Sequence, residues 1–252
     1  MSTLRFSVIT ATWNCGSTVS DCLASVLSQT YPNVEHVVID GASEDGTLDI
    51  LRTHRRQLAV LHSEPDAGIY DALNRGLQLA TGDVIGFLHA DDVYAFPQVL
   101  SWVADRFSDP DVDAVFGDLQ YVRKDQPDKV VRNWKSSPFT RRRLAWGWMP
   151  PHPTLYVRRK WFERIGGFDT RYRIAADYDF ILRLFSHGDF QAAHIPHSLV
   201  RMRTGGVSNK SLRNLLLKSR EDWNALRRSG IGAFGGIGAL LWKNIGKLGQ
   251  FR

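Results

Sequence analysis

One stretch, SEPDAGIYDALNRGLQLATGDVIGFLHADD at residues 63–92, limits most strongly what this chain can fold into. Its residues 84–88 form an apolar run without a polar break, which is typical of a strand covered on both faces of a sheet. Asp91 and Asp92 follow that run. Two adjacent carboxylates repel each other, and burying either one unpaired costs free energy. They can cap the next helix or bind a divalent cation such as Mg²⁺ or Mn²⁺, and the surrounding motifs favour the cation.

Strands and short amphipathic helices alternate along the first part of the chain. The predicted strands lie at 4–12, 35–39, 58–62 and 84–88, with helices between them. This β-α-β-α-β-α-β order predicts an α/β fold with a doubly wound, mostly parallel sheet that is flanked by helices. Open α/β sheets bind their ligands at the carboxyl ends of the strands, where the acidic residues of this chain are found.

The bulk composition agrees with one large α/β domain, or with one domain and an appendage. The chain has 252 residues, of which 43% are hydrophobic and 23% charged, and a net charge of +6. This modest positive charge favours anionic partners, namely nucleotides, phosphates, acidic lipids or nucleic acids. Cys15 and Cys22 form neither a disulfide framework nor a zinc-site spacing, which favours a reducing, cytoplasmic location. Residues 1–6 lack the regions of a signal peptide, and no run approaches the ~20 apolar residues that span a bilayer.

Asp40 follows the second predicted strand and precedes the loop GASEDGT. A carboxylate in that place commonly accepts hydrogen bonds from a ribose or a base, so a ligand is favoured over turn chemistry for Asp40. Turn chemistry by itself explains Asp45 and Gly46. No G-x-G-x-x-G sequence follows the first strand, which disfavours a dinucleotide-binding fold.

The regular alternation ends after a predicted helix at about 97–107 and a strand at 114–116, which stops before Asp118. Residues 123–151 contain a predicted hairpin and a basic, aromatic loop. The arginines at 141–143 fit a solvated surface turn and contact with an acceptor phosphate equally well.

A second acidic cluster, Asp177 and Asp179, opens a predicted helix that continues through 180–185. Acidic residues also suit the positive end of a helix dipole, so helix capping is the alternative to chemistry here.

The C-terminal part begins with a predicted pair of short strands at 192–195 and 199–202. A basic amphipathic helix is predicted at 211–228, followed by a glycine-rich, apolar tail at 231–252 with spaced lysines. This pattern favours a tail that lies on an anionic membrane surface over one that covers the domain.

The chain resembles the family 2 glycosyltransferases of the GT-A fold, and within them the bacterial O-antigen and exopolysaccharide enzymes. The resemblance rests on SVITATWN, VVIDGASEDGT, EPDAGIYDALNRG, ATGDVIGFLHADD and GGFD with AADYDFILRL, in the family's order over residues 4–208. It implies a GT-A domain at 1–208, with a nucleotide half at about 1–118 and an acceptor half at about 119–208. Residues 209–252 are then a C-terminal helical appendage.

The resemblance implies that a sugar moves, with inversion, from a nucleotide-sugar, most often a UDP-sugar, to a hydroxyl of a glycan or lipid-linked acceptor. The implied nucleotide and donor site consists of Thr10, Thr12, Asp40, Asp66, Gly68, Asn74, Arg75, His89 and Asp91. His89 departs from the family pattern, because it stands at the first position of D-x-D, where many relatives carry Asp or Asn.

The resemblance also implies the catalytic groups. Asp91 and Asp92 match the family's metal-binding motif for Mg²⁺ or Mn²⁺, and Asp177 matches the catalytic base. The implied acceptor side consists of Asp118, His152 and Asp179. A divalent ion neutralises the charge of a nucleoside diphosphate leaving group, while one carboxylate on the opposite face deprotonates the attacking hydroxyl. A retaining reaction would need a second carboxylate as nucleophile.

The expected location is cytoplasmic, with peripheral contact to the inner face of the plasma membrane and no nucleic acid as a partner. Two other classes stay open. A sugar-phosphate nucleotidyltransferase normally has a basic, Gly-rich phosphate loop after its first strand, whereas TATWNCGS holds no basic residue. A basic nucleic-acid-binding protein would leave the acidic clusters at the predicted strand ends unexplained.

Overall fold

The computed structural model describes residues 3–205 and 212–231, which form a nine-stranded sheet covered by helices. The strands are β1 Phe6–Thr12, β2 Val34–Asp40, β3 Val60–Ser63, β4 Val84–Phe87, β5 Asp92–Tyr94, β6 Ala114–Val122, β7 Val130–Trp134, β8 Tyr156–Arg158 and β9 Ala192–Arg203. The helices are α1 Val19–Leu27, α2 Thr47–Thr53, α3 Ile69–Leu79, α4 Val99–Arg106, α5 Arg141–Ala145, α6 Arg159–Ile165, α7 Ala176–Ser186 and α8 Leu212–Ser229. Short 3₁₀ turns lie at Arg55–Gln57 and His152–Thr154.

The strands lie in the order β3-β2-β1-β4-β8-β6-β9-β5, and β7 pairs with the outer part of β6. β1 to β4 run parallel to one another, as do β6 and β9. β8 is antiparallel to both β4 and β6, so these two strands share one direction. β5 and β7 run the opposite way to their partners. Six of the nine strands therefore point the same way, which confirms the predicted mostly parallel α/β sheet.

The centre of the parallel part is β1, which lies between β2 and β4. Its register places Thr12 beside Asp40 on one side and Ile9 beside Phe87 on the other. The carboxyl ends of the three strands therefore meet at one edge of the sheet, which brings the loops that follow them together.

Both faces of the sheet are covered, because successive strand residues point to opposite sides. Phe6 and Val8 of β1 pack with α1 and α4 on one face. Ile9 of β1 and Phe87 of β4 pack with α3, α6 and α7 on the other. This double burial explains why the strands read as continuous apolar runs rather than as alternating ones.

Two sequence predictions about the second half of the sheet are wrong. Asp118 does not follow a strand end, because β6 continues through Val122. Instead, the Asp118 carboxylate accepts hydrogen bonds from the Ser136 backbone (2.8 Å) and from His194 Nε2 (3.1 Å). The two short strands predicted at 192–202 are one strand, β9, whose pairing with β6 slips around Pro196 and then resumes. Proline has no N–H to give to the ladder, which accounts for the slip.

The basic loop predicted within 123–151 contains β7 and the short helix α5. Arg141 donates to the carbonyl of His187 at 3.2 Å, and Arg143 donates to that of Pro138 at 2.7 Å. These two arginines tie surface segments together, which agrees with a solvated surface turn.

The predicted C-terminal helix is present as α8, which packs on α7. Its Ala225 and Leu226 are buried in the same core as Ile181 of α7. The expected boundary between 208 and 209, and the tail at 232–252 that was predicted to lie on a membrane, are outside the described residues. Within the part of the chain that the structure describes, no helix is long and apolar enough to cross a bilayer.

Candidate active site

Asp40 organises the edge of the sheet where β1, β2 and β3 end. Its buried carboxylate accepts from Thr12 Oγ1 (2.9 Å), from Ser43 N and Oγ (3.0 and 2.6 Å) and from Ser63 Oγ (2.7 Å). The side chain therefore joins two strand ends to the loop after β2. A nucleoside that binds Asp40 would have to share or replace one of these hydroxyl donors.

Three of the nucleoside-site residues that the sequence suggested, Thr10, Thr12 and Asp40, are at most 2% exposed. The Thr10 side chain points into the interior, where Oγ1 lies 2.9 Å from Nε2 of His36. Burial lowers the pKa of His36 to about 4, so this ring is neutral at pH 7. The structure does not bring Thr10 to the surface of the edge.

A second patch at this edge is formed by Trp13, Gly41, Asp66 and Gly68. Asp66 Oδ1 accepts from Gly68 N at 2.8 Å, and Gly68 has a φ of +119°, which strongly favours glycine. A Cβ atom on Gly41 would lie 2.6 Å from Asp66 Oδ2 and 3.4 Å from the Trp13 ring. Trp13 is 70% exposed and offers a flat face beside Asp66.

Trp13 was missed in the sequence reasoning. An aromatic residue in the loop directly after the first strand was the available signal, since aromatic rings at ligand edges commonly stack on bases.

Asn74 and Arg75 are both held by contacts within the protein. The Asn74 amide donates to the Phe168 carbonyl and accepts from the Phe168 N–H, both at 2.8 Å, which joins α3 to the loop after α6. Arg75 forms an ion pair with Asp71 at 2.9 Å. Their predicted contacts with donor sugar and phosphate stay predictions.

The acidic pair lies in the turn between β4 and β5. Asp91 is half-buried, and its carbonyl accepts from Arg203 Nη1 at 2.9 Å. Asp92 is 1% exposed, and neither of its carboxylate oxygens has a hydrogen-bond donor among the described residues. Burial, and then the neighbouring Asp91, raise the pKa of Asp92 well above its usual range. Helix capping is excluded for this pair, because α4 begins only at Val99.

These residues fit a divalent cation by their chemistry. The orphaned oxygens of Asp92 and the accessible carboxylate of Asp91 are hard oxygen donors. In residues 3–205 and 212–231, no three His, Cys, Asp or Glu side chains cluster closely enough to hold a metal ion by themselves. Mg²⁺ commonly completes its shell with substrate phosphates and water on one or two carboxylates, which is the kind of site this pair can supply.

His89 and His152 form the wall beside the acidic pair. The His152 ring stacks on Phe87 at 5.5 Å and lies 6.1 Å from the His89 ring, measured between centroids. His152 Nε2 and His89 Nδ1 are buried and have no hydrogen-bond partner in the described part of the chain. Burial lowers the pKa of His152 to about 4, with nearby Asp177 opposing and His89 adding to the shift.

Asp177 lies in the first turn of α7 and faces this wall. It is half-buried, its Oδ1 accepts from Tyr178 N at 2.8 Å, and the Tyr70 hydroxyl lies 3.4 Å from the same oxygen. Tyr70 donates to the Ile174 carbonyl at 2.7 Å, which connects α3 to the start of α7. The first turn of a helix is a favourable place for a carboxylate.

Asp179 and Asp118 do not join this group. Asp179 lies about 200° around α7 from Asp177, since successive helical residues are about 100° apart. It is buried and forms an ion pair with Arg183 at 2.8 Å. Asp118 is held by Ser136 and His194, as described above. Their acceptor roles stay predictions without support from geometry, whereas Asp91, His89, His152 and Asp177 form one connected group.

Solved structures share this fold. One is S. aureus TarS 1-349 in complex with UDP-GlcNAc, with a TM-score of 0.71, 19% identity, and coverage of 90% of this chain and 65% of that chain. Another is the mannosyltransferase PcManGT from Pyrobaculum calidifontis in complex with GDP-Man and Mn²⁺, with a TM-score of 0.67, 21% identity, and coverage of 95% and 69%. This chain spans less than two thirds of the TarS chain. These likenesses confirm the predicted GT-A type of α/β fold.

The family model described as glycosyl transferase family 2 matches residues 7–166. The chain is also 33% identical over 228 residues to the "PGL/p-HBAD biosynthesis glycosyltransferase" of Mycobacterium tuberculosis (strain ATCC 25177 / H37Ra), covering 86% of this chain and 84% of that protein. The molecule is therefore a glycosyltransferase. It belongs to glycosyl transferase family 2, which confirms the family and the enzyme class that the motifs predicted.

The buried, neutral His152 makes stability depend on pH. An unfolded histidine titrates near 6.5, whereas burial lowers the pKa of His152 to about 4. The unfolded state therefore binds more protons between these values, and stability falls as the pH drops through that window. We expect His152→Phe to reduce the loss of unfolding free energy between pH 8 and pH 5 by about 2 kcal/mol in urea titrations. Equal losses in wild type and variant would contradict a neutral, buried His152.

Proposed function

We propose that this enzyme transfers a sugar, with inversion, from a UDP-sugar to a hydroxyl of a glycan or lipid-linked acceptor in cell-surface polysaccharide biosynthesis. The observation that carries the proposal is the connected group at one sheet edge. It consists of the half-buried Asp91, the rings of His89 and His152, whose centroids are 6.1 Å apart, and the half-buried Asp177 on α7.

The donor nucleotide is assigned to the edge formed by the ends of β1 and β2. Trp13 offers an exposed ring for stacking on a base, a contact worth about 1–3 kcal/mol where it has been measured with nucleic acids. The hydrogen-bonded pair Thr12 and Asp40 lies at the same edge, and Asp66 is assigned to the ribose and donor sugar.

Asp91 and Asp92 are the residues that would hold a divalent cation. When bound, the cation neutralises negative charge on the diphosphate leaving group. The half-buried Asp91 would be the more accessible ligand, and the buried Asp92 would have to lose the proton that its burial favours before it could serve as the second.

Asp177 is assigned as the general base that removes the proton of the acceptor hydroxyl. Burial lowers the pKa of the nearby His152 to about 4, so this ring is neutral at pH 7. Because Asp179 lies on another side of α7 and is paired with Arg183, no second carboxylate on that helix is placed to act as a nucleophile. This arrangement supports inversion rather than retention.

The comparisons support the substrate class. The TarS structure is a complex with UDP-GlcNAc, and the PcManGT structure is a complex with GDP-Man and Mn²⁺. The mycobacterial relative is named for its role in PGL/p-HBAD biosynthesis. Both solved complexes contain a nucleoside diphosphate sugar, but the nucleobase is uracil in one and guanine in the other. Binding measurements with UDP and GDP therefore decide which nucleotide this enzyme takes.

Nucleotide binding is tested by calorimetry with UDP and with GDP, each with and without Mn²⁺. We expect wild type to bind UDP more tightly with Mn²⁺, and Asp91→Asn to lose that gain, because the variant removes the accessible charged ligand. Asp111→Asn on the exposed loop before β6 is the control and should bind as wild type does. Metal-independent binding that is equal in all three proteins would contradict the assigned metal site.

The base is tested by comparing two carboxylates of α7. We expect Asp177→Asn to lower kcat about 10²- to 10⁴-fold while UDP affinity stays unchanged, as for loss of a general base. Asp179→Asn should chiefly lower the melting temperature, because it weakens the pair with Arg183. The assignment fails if Asp177→Asn turns over the donor and acceptor at the wild-type rate.

A peripheral contact with the inner membrane face is proposed for the hairpin β6–β7. Val130 and Val131 are 41% and 46% exposed and stand between Lys129 and Arg132, a mixture that suits an anionic lipid surface.

We expect the protein to sediment with phosphatidylglycerol vesicles at low salt, and Val131→Glu to reduce the bound fraction several-fold. Leu27→Glu, at the exposed end of α1, is the matched control. If Val131→Glu and Leu27→Glu bind the vesicles equally well, the membrane contact lies elsewhere and the assignment to the β6–β7 hairpin is wrong.

A further inference from the structure

Glu221 of α8 binds the backbone just before the helix that carries Asp177. Its Oε1 accepts from Arg173 N, and its Oε2 accepts from Ile174 N and Ala175 N, all at 2.9 Å. The side chain is buried, with the residue 6% exposed. One carboxylate thus satisfies three successive N–H groups that lie 46 to 48 residues away in the sequence.

These bonds fix the segment that leads into α7, because residues 173–175 precede the first helical residue, Ala176. The residue before the helix is Ala175, which has no polar side chain and forms no capping hydrogen bond. Backbone N–H groups need acceptors, and burying them without one costs about 1–3 kcal/mol each. The acceptor here comes from another helix, so the path of 173–175 depends on where α8 lies.

The chain around this turn, from Asp169 to Asp177, is held at two other points. Tyr70 of α3 donates to the Ile174 carbonyl at 2.7 Å and contacts Asp177. Arg228, two turns along α8 from Glu221, forms an ion pair with Asp169 at 3.1 Å. Asp177 therefore stands two residues after a turn that is clamped between α3 and α8.

We propose that Glu221 is a positioning residue for Asp177, so that α8 helps to hold the helix that carries the assigned base. The inference rests on the proposed role of Asp177 as the base. Glu221→Gln keeps one acceptor oxygen and replaces the other by an amide N–H₂, which then faces one or two of the three backbone N–H groups. The turn must then move, and the Asp177 carboxylate moves with it. A displacement of about 1 Å at a reacting group can cost about 100-fold in rate.

The test compares Glu221→Gln with Asp222→Asn. Both changes remove one buried negative charge from neighbouring positions of α8, but Asp222 pairs with Lys218 on its own helix. We expect Glu221→Gln to lower kcat about 30- to 100-fold while the KM for the donor and the Kd for UDP stay within about twofold of wild type. Asp222→Asn should keep wild-type kcat, and Glu221→Asp should recover part of the loss.

A double-mutant cycle separates positioning from general stability. If Glu221 acts through Asp177, the double variant Asp177→Asn/Glu221→Gln will be no slower than Asp177→Asn alone, because the group being positioned is already gone. If the two losses of kcat multiply in the double variant, or if Glu221→Gln loses UDP affinity, the proposal is overturned. Glu221 would then contribute to folding stability only. If Asp177→Asn itself is fully active, the assigned base fails and the inference fails with it. If Glu221→Gln keeps the wild-type kcat while Asp177→Asn is inactive, only the inference about Glu221 is refuted and the assigned base stands.

Discussion

The parallel pairing of β1 with β2 and β4 is the constraint on which the rest of this structure depends. It brings three strand ends to one edge, so Thr12, Asp40 and the turn that carries Asp91 become neighbours. The buried Asp40 carboxylate then fixes this edge, because it gathers hydroxyl and backbone donors from two strands and a loop. A buried carboxylate with that many donors keeps its hydrogen bonds in the interior, whereas an unpaired one loses those it made with water.

The titratable groups of the site differ in how deeply they are buried. Asp92 and His152 are both buried, and in both cases burial favours the neutral form. The half-buried Asp91 and Asp177 are the carboxylates of this group that solvent can reach. Two partly exposed carboxylates with the His89 and His152 rings beside them can serve a leaving group and an attacking hydroxyl on different sides. That separation is the physical basis of the inverting reaction proposed here.

The contacts of α8 with α7 make the C-terminal helix part of the packed domain, which its sequence did not suggest. The motifs end before it, and its pattern of basic and apolar residues is equally typical of a membrane-surface helix. In the structure, Ala225 and Leu226 join the main core, and the Glu221 carboxylate accepts hydrogen bonds from the backbone just before α7, more than 40 residues earlier. Periodicity along α8 predicts that one face is apolar, but it does not reveal which segment that face covers.

Much of the local structure follows from the sequence alone. Apolar runs predicted the strands β1 to β4, helical periodicity predicted α1, α4 and α8, and the ordered motifs predicted the family and the GT-A fold, because these signals are carried by neighbouring residues. Tertiary structure decided which polar residues are available. Asp118 is occupied by His194 and Asn74 by the backbone of Phe168, whereas Asp179 pairs with Arg183 one turn along its own helix. His194 and Phe168 lie far along the chain from their partners, and only sheet order and helix packing bring them into contact.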